Sequence, residues 1–302
     1  MTAPAYGIGI DMGGTNLKAI TASPNGETLR ECVQWVGNTP RAIWLSDLQA
    51  LVADWAADLG PPSALGVAAP GLIGDEERAV SWMLGDREDL VGFDWPDAFP
   101  SIPRVRVLND AKAALVAERE LGAARGEQNV MLLTLGTGVG GAAIVDGRLL
   151  RGAIGRAGHL GHLCLDLGGV QDVVGTPGSL EWQIGEGSLL SRSNGRFADT
   201  RTLVDRFSQG EEEATAIWLR SVRALTCAIV SLVNVLDSDT VILGGGIASA
   251  GPSLLDPLQE ELDGIEWRPF GRGVTVRLAE LGQMAGALGA ALYAMGEEGI
   301  EK

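Results

Sequence analysis

Residues 7–20, Gly-Ile-Gly-Ile-Asp-Met-Gly-Gly-Thr-Asn-Leu-Lys-Ala-Ile, constrain the fold more than any other stretch of the chain. Apolar alternation running into Ile10 predicts a buried strand over Ala5–Asp11. Gly13-Gly14 predicts a tight turn, because glycine alone enters positive φ without steric cost, and Leu17–Thr21 predicts the returning strand. The tip of such a hairpin carries one carboxylate, Asp11, and several backbone N–H groups. Clustered N–H groups bind anions, and a nearby carboxylate can hold a hydrated cation. The local residues allow two readings: a phosphate-and-magnesium site, or an ordinary hairpin closed by glycines.

A second hairpin of the same kind is predicted by the strand Val130–Leu135, the turn Gly136-Thr137-Gly138-Val139-Gly140-Gly141 and the returning strand Ala142–Val145. Asp146-Gly147 then makes a two-residue turn into Arg148–Leu150. No helix follows the glycines directly, which disfavours a Rossmann dinucleotide loop. Between the hairpins the pattern predicts a strand Glu31–Val36, a helix Leu45–Leu59 stopped by Pro61-Pro62, and a buried strand Ala64–Ala69 ending in Pro70-Gly71. Residues 74–100 read as a loop-rich flap with short strands, in which Trp82 and Trp95 either close over a ligand or pack a core. A strand Val105–Leu108, then Asn109-Asp110, then an alanine-rich helix Ala111–Leu121 place both polar residues at a strand end. Ligands bind there in open α/β sheets, although either residue can also serve as a plain helix cap. Further on come a long helix Glu211–Leu236, a strand Thr240–Leu243 ending in Gly244-Gly245-Gly246, a helix Pro252–Leu262, a strand Arg272–Arg277 and a closing helix Met284–Met295. The apolar spacing of the long helix needs no explanation beyond core packing.

The chain's 302 residues point to about two domains. Hydrophobic residues at 46% and charged residues at 21% supply a core and argue against disorder. A formal net charge of −16 argues against nucleic acid or an anionic membrane surface as a partner. It does not exclude a nucleotide, since a local backbone nest binds phosphate despite the global field. No apolar run reaches the ~18–20 residues of a membrane span, and no basic-then-apolar signal opens the chain. Cys32, Cys164 and Cys227, odd in number and far apart, read as free thiols in a reducing, cytoplasmic setting.

Taken in order, these motifs resemble the ROK family (repressors, open reading frames, kinases) of the actin-like ATPase, ribonuclease H-like superfamily. The carrying residues are Asp11-Met12-Gly13-Gly14-Thr15, Asn109-Asp110-Ala111, Leu135–Gly141, Ala157-Gly158-His159-Leu160-Gly161-His162, Gly178-Ser179-Leu180-Glu181 and Leu243–Ile247. The resemblance covers nearly the whole chain. It implies a two-domain α/β fold with a cleft between the domains: a small N-terminal domain over 1–111, with the C-terminal helix of about 284–302 packing back on it, and a larger domain over 112–283. It implies ATP-dependent phosphorylation of a sugar hydroxyl by a homodimer. Asp11, Gly13, Gly14, Thr15, Asn16 and Lys18 would face the phosphates, with magnesium at Asp11 through water. Gly136, Thr137, Gly138 and Gly140 would grip the phosphates, and Gly244, Gly245 and Gly246 would line the adenosine pocket. Asp110 would be the general base, and Asn109, Asp110, His159, His162, Glu181 and Gly71 would bind the sugar. Phosphoryl transfer asks mainly for positioning and charge neutralisation plus one carboxylate on the hydroxyl, and this division supplies both. The phosphate motif begins within ten residues of Met1, so no DNA-binding domain of the family's repressors is expected before it.

Three positions depart from the family pattern. His159 stands where a sugar-contacting Glu is common, as in members that resemble N-acetylmannosamine kinases. A carboxylate only accepts hydrogen bonds, whereas a neutral imidazole both donates and accepts. The change alters the preferred sugar or is drift at a tolerant position. The family's three zinc-binding cysteines are replaced by Asp172, Val174 and Ser179. Structural zinc needs four thiolate or imidazole ligands, so no structural zinc is expected, and apolar packing around Val170–Val174 is expected to hold the loop instead. Lys112, where many members have Asn, is expected either to face solvent or to pair with Asp110. A sugar-binding regulator with weak or no catalysis is the alternative function.

Overall fold

The computed structural model describes residues 5–37, 39–85 and 87–296. It divides into two compact units: unit 1 comprises Met1–Arg125, Arg151–Ala157 and Gln283–Lys302, and unit 2 comprises Gly126–Leu150 and Gly158–Gly282.

Unit 1 is built on an open five-stranded sheet. Strands β1 (Gly7–Met12), β2 (Asn16–Ala22) and β3 (Thr28–Trp35) form an antiparallel meander. Helix α1 (Arg41–Leu59) leads into β4 (Ala64–Ala69), parallel to β1. A small ribbon of β5 (Leu72–Ile73) and β6 (Val80–Trp82) and the one-turn helix α2 (Trp95–Ala98) precede β7 (Val105–Asn109), which completes the order β3-β2-β1-β4-β7. Helix α3 (Asp110–Leu121) follows without a loop.

Unit 2 repeats this plan. Strands β8 (Val130–Leu135), β9 (Val139–Val145) and β10 (Arg148–Leu149) form the meander. Helices α4 (Leu180–Ile184), α5 (Glu186–Arg192), α6 (Thr200–Ser208) and α7 (Glu212–Leu236) come before β11 (Thr240–Gly244), which is parallel to β8. Helix α8 (Pro252–Ile265) and the parallel strand β12 (Thr275–Leu278) close the order β10-β9-β8-β11-β12. Each sheet therefore carries three antiparallel strands followed by two parallel ones, and both glycine turns fall between the first two strands. The Asp146-Gly147 turn has φ of 51° and 74°, as a two-residue hairpin of right-twisted strands requires.

Helix α9 (Ala285–Met295) belongs to unit 1, where it lies against β1, β4 and α3. Because α3 packs on α9, unit 1 runs on to Arg125, and the expected division at 111 falls inside it. Residues 297–302 of the expected C-terminal helix lie outside the described residues. The core of unit 1 gathers Ile8, Ile10, Leu17, Leu65 and Val67 from the sheet with Trp44, Leu48 and Trp95. Trp95 is fully buried among Trp44, Phe93 and Phe99, whereas Trp82 is 47% exposed; the two flap tryptophans thus part company. Helix α7 is long and apolar enough on composition to cross a bilayer, but Trp218, Val222, Leu225 and Ile229 are buried in the core of unit 2.

Several boundaries differ from those the pattern predicts. Helix α1 begins at Arg41, and the strand expected at Arg272–Arg277 is Thr275–Leu278. Helices α4 to α6 were not foreseen; at 5, 7 and 9 residues they are too short to show a clear apolar period.

Lys112 is neither at the surface nor paired with Asp110. It is buried on α3, and its Nζ donates to the Gly155 carbonyl at 3.0 Å, which ties the Arg151–Ala157 segment to unit 1. Burial and the Arg151 charge lower its pKa to about 8, against a smaller opposing effect of Glu77. The same segment is held by Arg151, which bonds Tyr293 and the buried Glu77.

Candidate active site

In unit 1 the register of the first hairpin places Asp11 opposite Lys18, with Lys18 Nζ 3.4 Å from Asp11 Oδ2. Burial pushes the Asp11 carboxyl above its ordinary range, and Lys18 opposes that shift. The Gly13 N–H donates to the Asn16 carbonyl at 3.0 Å and closes the turn, and the Thr15 carbonyl accepts from Val36 and Gly37. Arg87, only 4% exposed, donates to the Gly13 carbonyl at 3.2 Å and braces the tip from beneath. Gly14, Thr15 and Asn16 stay exposed, so the tip is open to a ligand.

At the end of β7, Asn109 caps α3: its Oδ1 accepts from the N–H groups of Ala111 at 3.1 Å and Lys112 at 3.3 Å. Its Nδ2 donates to the Gly71 carbonyl at 3.2 Å, and Gly71 takes φ of 90°, where a side chain would be strained. The capping reading therefore holds for Asn109, whose side chain also hydrogen-bonds the Asp110 carboxylate. Asp110 opens the helix, and its Oδ1 accepts from the Ala111 N–H at 2.8 Å. Its carboxyl is crowded by protein while water still reaches the residue. Desolvation first, and the Asp11 charge second, raise its pKa to about 6 against its hydrogen bonds. Two carboxylates that repel each other at a strand end and a hairpin suit a divalent cation, which would neutralise both.

In unit 2 the second hairpin is closed by the Gly136 N–H donating to the Gly138 carbonyl at 3.0 Å. The carbonyls of Gly136 and Thr137 accept from Glu186 and Gly187, each at 2.9 Å, so the start of α5 fixes the turn. Gly140 lies in the ladder opposite Thr134. Glu181, in the first turn of α4, accepts the Val139 N–H on its Oε2 at 3.0 Å; a side chain at Gly138 would occupy the space this carboxylate fills. Gly244 ends β11, Gly245 turns with φ of 87° against the Leu135 carbonyl, and Gly246 follows in open space. His159 precedes and His162 ends a short turn, Leu160–His162, and both histidines are half-buried. Unit 2 thus brings together Glu181, the Gly136–Gly140 turn and His162, and unit 1 brings together Asp11, Lys18, Asp110, Asn109 and Gly71.

The loop between His162 and Glu181 corrects one expectation. Val170, Val173 and Val174 are 54%, 71% and 41% exposed, so apolar packing does not hold it. Asp172 holds it instead, through hydrogen bonds to His162 and to the N–H groups of Val174 and Thr176. The sequence pattern marked Asp172 only as standing in place of a cysteine and gave it no role, and it did not single out Arg87. The signal for Asp172 was available: a carboxylate at a motif position that faces the motif's histidine. His162, Asp172 and Glu181 each place one ligand-capable atom within 4.8 Å of the others.

Two units with one repeated strand order, open sheets and glycine turns at the same place define an α/β protein of the actin-like ATPase fold. The ROK family model matches residues 7–297, and the chain belongs to that family. A glucokinase of Thermotoga maritima is 29% identical over 306 residues, 94% of this chain and 95% of that protein. An N-acetylmannosamine kinase of Escherichia coli O139:H28 is 31% identical over 304 residues, 96% of this chain and 99% of that protein. A ROK family glucokinase from Streptomyces griseus, solved in complex with glucose and AMPPNP, superposes with a TM-score of 0.77 at 27% identity, covering 96% of this chain and 99% of that one.

Proposed function

We propose that this chain is a sugar kinase that transfers the γ-phosphoryl group of ATP to a hydroxyl of a hexose or amino sugar, with Asp110 accepting the hydroxyl proton. The observation that carries the assignment is the Asp110 carboxyl, accessible at the start of α3 and tuned to a pKa of about 6. A base with that pKa is ionised at neutral pH yet still basic enough to share a proton in the transition state. The relatives named glucokinase and N-acetylmannosamine kinase, and the neighbour that holds glucose and AMPPNP, support the reaction class and the donor.

In this reading the exposed Gly13–Asn16 tip and Lys18 meet the phosphates, as do Gly136, Thr137, Gly138 and Gly140, and Gly244–Gly246 line the adenosine. Asp11 holds magnesium through water; the ion supplies charge neutralisation at the phosphates. His159, His162, Glu181, Asn109 and the Gly71 turn recognise the sugar. The three free cysteines fit a reducing cytoplasm, and light scattering tests the expected homodimer.

Coupled ADP release across glucose, N-acetylglucosamine, N-acetylmannosamine, fructose and rarer hexoses tests the assignment. One sugar is expected to drive ADP release well above the ATP-only rate. Tight sugar binding with no ADP release from any member would instead establish the regulator. With the active sugar, kcat/KM is expected to be flat above pH ~7 and to fall about tenfold per unit below an apparent pKa of about 6, because protonation removes the base. Magnesium at Asp11 moves this limb to lower pH, since the Asp11 charge is one cause of the raised value. A profile with no acid limb down to pH ~4, the ordinary carboxylate range, would remove Asp110 from the base role.

A further inference from the structure

We propose that Asp172 is a positioning residue for the sugar site: its buried carboxylate fixes His162 as the Nδ1–H tautomer, leaves Nε2 as an acceptor, and does so without a metal ion. The side chain of Asp172 is 2% exposed, although its neighbours Gln171, Val173 and Val174 are exposed. A buried carboxylate is retained only if its oxygens are satisfied. Here Oδ2 accepts from His162 Nδ1 at 2.8 Å, and Oδ1 accepts from the Val174 N–H at 3.0 Å and the Thr176 N–H at 2.9 Å. The Ser179 hydroxyl supplies a fourth bond, while its oxygen accepts from the Trp182 N–H at 3.2 Å and so caps α4.

A carboxylate offers about four lone-pair sites, and four donors occupy them. That count favours one of the two readings of the His162, Asp172 and Glu181 group. Val174, Thr176 and Ser179 take three sites whatever His162 does, and the 2.8 Å contact of Oδ2 with His162 Nδ1 takes the fourth, so the group is read as a hydrogen-bonded hub. The hub joins both ends of the loop, whose stems are paired through Cys164 and Ser179, and through the Leu180 N–H donating to the Leu163 carbonyl at 3.0 Å. An ionised acceptor at Nδ1 requires a proton there, and in neutral imidazole the other nitrogen is then an acceptor. His162 therefore presents a hydrogen-bond acceptor, which selects a hydroxyl or amide N–H on its ligand. That the ligand is a sugar rests on the function proposed above; the tautomer does not.

The chain has two histidines, so long-range 1H–15N correlation of imidazole-labelled protein reads the tautomer directly, with His162→Gln identifying the resonances. The wild type is expected to show a protonated Nδ1 and a bare Nε2 for His162, and Asp172→Asn is expected to abolish that pattern. Asn keeps an acceptor for the Val174 and Thr176 N–H groups, so the loop folds, but it turns a donor toward Nδ1. The variant is expected to raise the sugar KM about tenfold, the loss of one oriented hydrogen bond, with the ATP KM unchanged. An Nε2–H tautomer in the wild type, or a stoichiometric divalent metal by elemental analysis of untagged protein, would overturn the proposal. So would an unchanged sugar KM in Asp172→Asn. If no sugar is turned over, the kinase reading fails while the tautomer and metal measurements still decide the hub.

Discussion

Replacing Asp110 by Asn is expected to lower kcat by about 10²–10⁴-fold, the usual contribution of a positioned general base, while sugar and ATP binding persist. The substitution is a close steric match. The Asp110 Oδ1 that accepts the Ala111 N–H at 2.8 Å has a direct counterpart in the amide side chain, so the start of α3 is preserved. What is lost is the proton acceptor and one negative charge beside Asp11. The stability change has a definite sign. Asp110 has a folded-state pKa of about 6, above its ordinary 3.8, so the native state binds the extra proton between those values. The stabilisation from that proton is complete below pH ~4 and lost as pH rises through ~6. The amide that replaces the carboxylate carries no charge to desolvate. The variant is therefore expected to melt no lower than wild type at pH 7, with any advantage shrinking toward pH 4. The effect is small because water reaches the residue. Calorimetry at the two pH values together with single-turnover kinetics checks both parts. Full turnover in the variant would remove the base assignment, and a large drop in melting temperature would show that Asp110 is structural.

The parts of this protein that were legible in its sequence are those where one residue type is physically forced. Both glycine hairpins were readable because glycines cluster at their turns, but not for the expected reason. Gly13, Gly14, Gly136 and Gly138 all keep φ outside the left-handed region, and what the turns require is clearance, at Gly13 against the Asn16 carbonyl and at Gly138 against Glu181. The strand–Asn109–Asp110–helix junction was readable because a cap and a strand end have local signatures. What escaped depends on partners distant in sequence. Lys112 reads as a surface helix residue until the Gly155 carbonyl, 43 residues away, is found against its ammonium. Unit 1 keeps α3 because α9, more than 160 residues later, packs on it. The loop after His162 shows a third kind of miss. The family resemblance implied cysteines where this loop has Asp172, Val174 and Ser179, and valines nearby invited an apolar substitute. Hydrophobic residues on a short exposed loop have nothing to pack against, whereas one carboxylate satisfies four donors at once. Local pattern reports which groups are missing, and only the fold reports which group has taken their place.

Gly9→Ala is expected to destabilise the protein by about 3 kcal/mol, the upper end of what overpacking a core costs. It should lower the melting temperature by roughly 6–12 °C. Gly9 sits in the middle of β1 between the buried Ile8 and Ile10, paired with Ile20 on one side and Gly66 on the other. A methyl group there would lie far inside contact distance of the Ala287 carbonyl on α9. Gly66 faces the Ala290 carbonyl in the same way, and on the opposite side of the helix Gly289 faces the Ala113 carbonyl of α3. Backbone meets backbone at all three places, so no flexible side chain can give way, and the helix must lift off the sheet. The site then moves with it. A Cβ on Gly286 at the start of α9 would touch the Asp11 carboxylate at 3.0 Å, so this helix end backs the proposed magnesium ligand. Gly9→Ala is thus expected to lose activity in step with stability. Gly264→Ala, on the exposed end of α8 with nothing within 4 Å, is the matched control. It is expected to be neutral or to stabilise by up to about 1 kcal/mol, the helix propensity difference between the two residues. Urea denaturation of both variants reads the contrast. An unchanged midpoint in Gly9→Ala would mean that α9 does not lie against β1 through this glycine.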